Sequence, residues 1–165
     1  TGKSTCCLAR GSFEGQDVPV YAVDLWTSGT SREGIDFRVR QPDEPVGDSK
    51  FHLPEVRAVF RRRMEVYSEG LVHERMGATL DVAAEWSAVS VGLLFIDANH
   101  TYEAVRADFE AWCPKVASGG VITLHDYKDE DGSVVAVKRY VDEVTQAGRW
   151  RIREVVGTLV VLEER

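Results

Sequence analysis

The sequence predicts an α/β fold with a mostly parallel sheet, Rossmann-like in layout, ending in an antiparallel hairpin. Three observations carry that expectation. Short apolar runs rich in β-branched residues alternate with stretches of helical periodicity. Alternation of this kind implies βαβ units and a sheet covered on both faces. Two β-rich runs at the end are joined through Val156-Gly157, which reads as a hairpin.

Taken in order, Val18–Leu25 (VPVYAVDL) reads as a buried strand. Phe51–Tyr67 has apolar residues at 53, 56, 60, 64 and 67 and Pro54 in its first turn, which is a helix pattern. Leu71–Met76 is a weaker strand. Thr79 suits the cap of a short helix through Trp86. Val91–Asp97 (VGLLFID) is the clearest strand. Thr101 opens a helix with Val105, Phe109, Trp112 and Val116 on one stripe, and Pro114, inside that stripe, ends it near Cys113. Gly119-Gly120 are expected to break the chain before a strand at Val121–Asp126 (VITLHD). Val134–Ala147 is helical, with Gly148 as its stop. Arg151–Val155 and Thr158–Leu162 form the terminal hairpin.

The chain has 165 residues, a length that suits one domain. Residues 27–50 are polar, hold two prolines and show no periodicity, so they read as a long loop serving as a lid or as plain surface. Twenty Lys and Arg face 27 Asp and Glu, a net charge of −7. Nothing in that balance draws the chain to nucleic acid or to an anionic membrane. Three Cys without CxxC spacing indicate neither a disulfide framework nor a structural zinc site, so the cytoplasm is the expected compartment.

Chemistry in open α/β sheets gathers beyond the carboxyl ends of the strands. Asp24, Asp97 and Asp126 each follow an apolar run, with His100 three residues beyond Asp97 and His125 adjoining Asp126. Neighbouring strands lie about 4.8 Å apart, so two such carboxylates repel unless a cation, proton or donor stands between them. A single strand-end Asp is more simply a helix cap. Two Asp and two His in two loops form the densest cluster of acid/base-capable and metal-capable groups in the chain. The opening Gly2-Lys3-Ser4-Thr5 ends the phosphate-loop pattern G-x-x-x-x-G-K-[ST], and LLFID imitates the strand whose Asp serves magnesium. A nucleotide hydrolase is therefore one alternative. The same glycine before a helix also suits a cofactor carboxylate approaching a helix N-terminus. Arg61-Arg62-Arg63 reads as a solvated helix face. Trp26 reads equally as a ring-stacking group or a partly buried aromatic.

The segment LLFIDANHTYEAVRADFEAWCPKVASGGVITLHDY (93–127) resembles the class I S-adenosylmethionine-dependent methyltransferases. Within them it is most similar to the small-molecule O-methyltransferases of the macrocin and catechol type. Their pattern FIDGxHxYxxVxxDxxxWxxxxxxGGxxxxHDY is met throughout, except for Ala98 where Gly is usual. TGKST looks like the end of the glycine-rich cofactor loop, VYAVDLW like the second strand, and GATLDVAAEW like the turn beside the adenine. Family members carry a strand with E-x-G ahead of the glycine loop. The sequence starts inside that loop, so a missing upstream strand is expected.

The resemblance implies S-adenosylmethionine as cofactor. Gly2 would let the backbone approach it, and Ser4 would lie near its amino-acid end. Asp24, with Leu25, would hold the ribose. Gly77, Ala78 and Thr79 would line the adenine. Asp97 would lie near the methionine portion and the acceptor, and His100 matches a general base. Asp97, His125 and Asp126 match positions that hold a metal in metal-dependent relatives. Magnesium prefers oxygen ligands, so His125 leaves room for a more nitrogen-tolerant divalent cation. The implied partner is a small-molecule acceptor, and a homo-oligomer is compatible with the reading. A methyltransferase fold acting only as a binding module is the second alternative.

Overall fold

The structure, a computed structural model, describes residues 2–26, 53–87, 90–127 and 135–165. The 27–50 segment lies outside the described residues. The elements follow the chain as α1 (Lys3–Glu14), β1 (Val20–Asp24), α2 (Leu53–Tyr67), β2 (Val72–Met76), α3 (Thr79–Glu85) and β3 (Val91–Ile96). Then come α4 (Tyr102–Trp112), a 3₁₀ turn at Cys113–Lys115, β4 (Val116–Leu124), α5 (Val135–Gln146), β5 (Trp150–Val156) and β6 (Leu159–Glu164). They fall into two compact units, residues 1–82 and 83–165, with the division inside α3.

In the first unit β1 and β2 pair in parallel, with Asp24 opposite Met76. Trp26, Phe60 and Met64 are buried together, with Cys6, Ala22 and Val72 packed against them. Trp26 and Phe60 rings lie 4.7 Å apart. Arg61 is exposed, as expected of a solvated helix face, and from there it reaches β2: its Nε lies 2.6 Å from Glu74 Oε1, and Arg57 Nη2 lies 2.9 Å from Glu74 Oε2. The two guanidiniums, Arg61 foremost, hold the Glu74 carboxyl below its ordinary pKa.

In the second unit the strand order is β3-β4-β6-β5. β3 and β4 run parallel, whereas β6 runs antiparallel to both β4 and β5. The terminal hairpin is therefore present, with Gly157 and Thr158 between its strands and Gly157 at φ +58°. Gly119-Gly120 do not break the chain. β4 starts at Val116 and takes up the glycines as an irregularity: Val91 pairs Val116, while Leu93 already pairs Val121. Gly119 sits at φ +78°, and a Cβ on Gly120 would lie 2.9 Å from the Gly92 carbonyl oxygen. Glycine thus allows a bulged crossing where a side chain would force a stop.

β3 is less covered than its apolar run suggests. Of its residues only Ile96 is buried and Leu93 is exposed, and among the described residues β3 pairs with β4 alone. The core is built from α4, α5 and the inner strands, with Val105, Ile122, Val141, Val160 and Leu162 almost wholly buried. Phe109 meets Tyr140 and Trp150 edge-on, at 5.4 and 5.7 Å. Burial pushes the Tyr140 phenol well above its ordinary pKa. Among the described residues no helix is long and apolar enough to cross a membrane.

Candidate functional site

Two groups of expected site residues are positioned by these elements, one in each unit. In the first unit, Gly2 is the left-handed N-cap of α1 at φ +79° and makes no side-chain cap. The first intrahelical bond formed here runs from Cys6 N–H to the Gly2 carbonyl, 3.0 Å. The amides of the preceding turn, Ser4 among them, lie at the helix's positive end, a setting suited to an anion. A Cβ on Gly2 would stand 2.6 Å from Phe60 Cδ2. Gly2→Ala is therefore expected to lower stability by about 1–2 kcal/mol from the left-handed backbone alone, with a further loss from displacing Phe60. Denaturant unfolding checks this; an unchanged midpoint would mean the turn tolerates a side chain.

Asp24 ends β1, and its carboxylate Oδ1 accepts from the Trp26 N–H at 3.1 Å. This bond turns the chain at Leu25 and orients the acid. Trp26 stands at φ +50°, an uncommon backbone for a bulky residue, and its buried indole Nε1 has no hydrogen-bond partner among the described residues. Of the two readings of Trp26, burial on Phe60 is met. The Gly77 N–H donates to the Asp24 carbonyl at 3.0 Å, so the end of β1 and the turn at 77–79 are neighbours. A Cβ on Gly77 would lie 2.9 Å from Val82 Cγ2, so a larger residue would push α3 away. The structure thus brings Asp24, Leu25, Gly77, Ala78 and Thr79 to one sheet edge, in the unit that also holds Gly2 and Ser4.

In the second unit the cluster at Asp97, His100, His125 and Asp126 assembles. β3 and β4 end level, Ile96 opposite Leu124, and the ladder continues one residue further through the His125 N–H to the Ile96 carbonyl at 3.0 Å. That extra rung sets the 125–126 loop beside Asp97. On the other side, Asn99 Oδ1 accepts from the Thr101 N–H at 2.9 Å and Thr101 Oγ1 accepts from the Ala104 N–H at 3.4 Å. These turn the chain at His100 and cap α4 as the sequence predicts.

His100 lies between the two carboxylates, with Nδ1 3.2 Å from Asp126 Oδ2 and Nε2 3.6 Å from Asp97 Oδ1. His125 Nδ1 lies 3.0 Å from Asp126 Oδ1 and 3.4 Å from Asp97 Oδ1. Asp97, His100 and Asp126 offer three ligand atoms within 4.8 Å of one another. Among the described residues, His100 Nε2 and His125 Nδ1 are buried atoms without a hydrogen-bond partner. Paired carboxylates and two unsatisfied ring nitrogens fit a divalent cation of mixed nitrogen and oxygen preference. They equally fit a proton shared through an imidazole.

One neighbour was not expected as part of the site. Thr158 Oγ1 lies 3.2 Å from His125 Nε2. Its position follows from β6 lying antiparallel to β4, with Val160 opposite Leu124. The sequence offers the hairpin but not the strand it pairs with.

Comparison with known proteins bears on the family and the fold. Residues 1–127 match the family described as a methyltransferase domain. The uncharacterized protein y4gI of Sinorhizobium fredii is 49% identical over 37 residues, which is 22% of this chain and 4% of that protein. Among solved structures, the O-methyltransferase from Bacillus cereus in complex with SAH is 17% identical and has a TM-score of 0.64. The alignment covers 99% of this chain and 70% of that one. Cofactor-bound Rv0187 from MTB is 18% identical at TM-score 0.65, covering 98% and 67%. The O-methyltransferase NovP is 20% identical at TM-score 0.58, covering 96% and 66%. At these identities the likeness establishes the fold, which is the Rossmann-like methyltransferase fold. The chain spans 53–70% of the lengths of the solved structures it resembles.

Proposed function

This chain belongs to the methyltransferase-domain family, and on that premise we propose that it transfers the methyl group of S-adenosylmethionine to a hydroxyl oxygen of a small molecule. The observation that carries the hydroxyl acceptor is the Asp97–His100–His125–Asp126 cluster at the ends of two neighbouring parallel strands. Methyl transfer is an in-line displacement: the sulfonium S–CH₃ bond breaks, an O–CH₃ bond forms, and S-adenosylhomocysteine leaves. The acceptor hydroxyl must give up its proton at or before transfer. His100 takes that proton in this reading, and the resulting imidazolium rests between the Asp97 and Asp126 carboxylates. Asp97 thereby acts on the acceptor side of the reaction, and alignment of the two reacting centres supplies the remaining acceleration, up to about 7–11 kcal/mol.

Asp97, His125 and Asp126, with His100 beside them, are the residues that would hold a divalent cation. Bound there, such an ion would lower the pKa of the acceptor hydroxyl. The cofactor half of the proposal rests on Gly2, Ser4 and the α1 N-terminus for the amino-acid end, Asp24 and Leu25 for the ribose, and Gly77, Ala78 and Thr79 for the adenine. A carboxylate facing two vicinal hydroxyls makes charge-assisted bonds. Asp24→Ala is expected to weaken S-adenosylhomocysteine binding by about 1.5–3 kcal/mol, the range for hydrogen bonds to charged groups. Calorimetric titration of the full-length protein measures it. An unchanged affinity would remove Asp24 from the ribose.

A further inference from the structure

We infer that Thr158 is a positioning residue for the acid/base cluster, acting through both neighbours of Asp126. Asp126 stands at φ +55°, a left-handed backbone that a non-glycine residue holds only when its surroundings enforce it. The enforcement is visible on either side. The Thr158 carbonyl accepts from the Tyr127 N–H at 2.9 Å, and the Thr158 hydroxyl lies 3.2 Å from His125 Nε2. One residue of the β5–β6 turn therefore grips the loop before and after the strained position. Backbone and side chain have separate tasks there. The carbonyl fixes where the loop runs. The hydroxyl fixes which way the His125 ring faces, because with Nε2 held, Nδ1 is turned toward Asp97 and Asp126 at 3.4 and 3.0 Å.

A threonine hydroxyl suits this task because it both donates and accepts. With the ring's hydrogen on Nδ1, facing two carboxylates, the hydroxyl donates to the Nε2 lone pair. With a cation on the Nδ1 lone pair, Nε2 carries the hydrogen and the hydroxyl accepts it. Partners of this kind orient a histidine ring, and their loss typically costs 10- to 100-fold, roughly, in metal affinity or activity. The consequence for turnover rests on the methyltransferase reading; the ring's orientation does not.

The test compares Thr158→Val, which keeps the shape and removes the hydroxyl, with Thr158→Ser, which restores it. The tautomer of His125 is read from two-bond ¹H–¹⁵N correlations of its ring in cation-free full-length protein, at alkaline pH where imidazole is neutral. Wild type and Thr158→Ser are expected to show the Nδ1–H tautomer, and Thr158→Val is expected to lose it to a mixture. Hydrogen exchange at the Tyr127 amide should stay slow in all three, since the carbonyl contact survives each change. A wild-type ring pattern in Thr158→Val overturns the inference. So does a Thr158→Ser protein that fails to recover the pattern, or a ring change that appears together with loss of Tyr127 protection, which would make the role merely structural. Should Thr158→Val not fold, Thr158→Ala removes the same hydroxyl and carries the comparison. S-adenosylhomocysteine titration accompanies each variant. Failure of wild type to bind it would end the methyltransferase reading, and the ring pattern would still decide the role of Thr158.

Discussion

His100→Ala is expected to lower methyl transfer by about 10²- to 10⁴-fold, the usual worth of a positioned proton transfer, while S-adenosylhomocysteine affinity stays unchanged. Among the described residues, His100 is the one histidine whose two ring nitrogens face two different carboxylates, Asp97 and Asp126. It can accept a proton on one nitrogen with the charge compensated on both sides, an arrangement that a single Asp–His pair offers only once. Turnover is followed as S-adenosylhomocysteine release with a small-molecule hydroxyl acceptor. Chelation separates the two ways of ionising that hydroxyl. If a cation shares the work, EDTA abolishes turnover and manganese or magnesium restores it, with cofactor binding intact. If the histidine works alone, EDTA leaves turnover untouched. Full activity both in EDTA and in His100→Ala would mean the cluster has no chemical role.

The second large effect is on stability. Phe109→Ala is expected to destabilise the second unit by about 3–5 kcal/mol, the range for removing a buried aromatic. Phe109 is 4% exposed and joins α4 to α5 through Tyr140 and to β5 through Trp150. A cavity there sits under three elements at once, so it cannot close by the shift of one side chain. The same helix α4 starts directly after His100, capped by Thr101, so a loosened core also loosens the acid/base cluster. Denaturant unfolding followed by Trp fluorescence measures the loss. A change below about 1 kcal/mol would place Phe109 among ordinary substitutions and outside the core.

The grouping of the candidate site residues was legible where it is local. A carboxylate directly after an apolar strand run, a histidine three residues on and a threonine cap all lie within a few positions, and the structure sets Asp97 beside His100 with Thr101 as the cap of α4. Elements were legible for the same reason: VGLLFI and VITL are strands because their side chains leave few other choices. What sequence reading missed depends on partners distant along the chain. Gly119-Gly120 look like a stop until β3 is seen to offer Val91 to Val116, which carries β4 through them. Thr158 looks like an ordinary strand residue until β6 is laid antiparallel to β4, which brings it to His125. In each case the missing information is a strand pairing, and single-sequence periodicity carries none.

The claim that this chain works on S-adenosylmethionine is tested most directly by calorimetric titration of the full-length protein with S-adenosylhomocysteine, run beside one with magnesium ATP. The account predicts saturable one-to-one binding of S-adenosylhomocysteine and no heat with the nucleotide. The Gly2 turn and the α1 N-terminus would then receive the amino-acid end of the cofactor rather than a phosphate. Binding of magnesium ATP with none of S-adenosylhomocysteine would contradict it, and would return GKST and LLFID to the phosphate-loop reading.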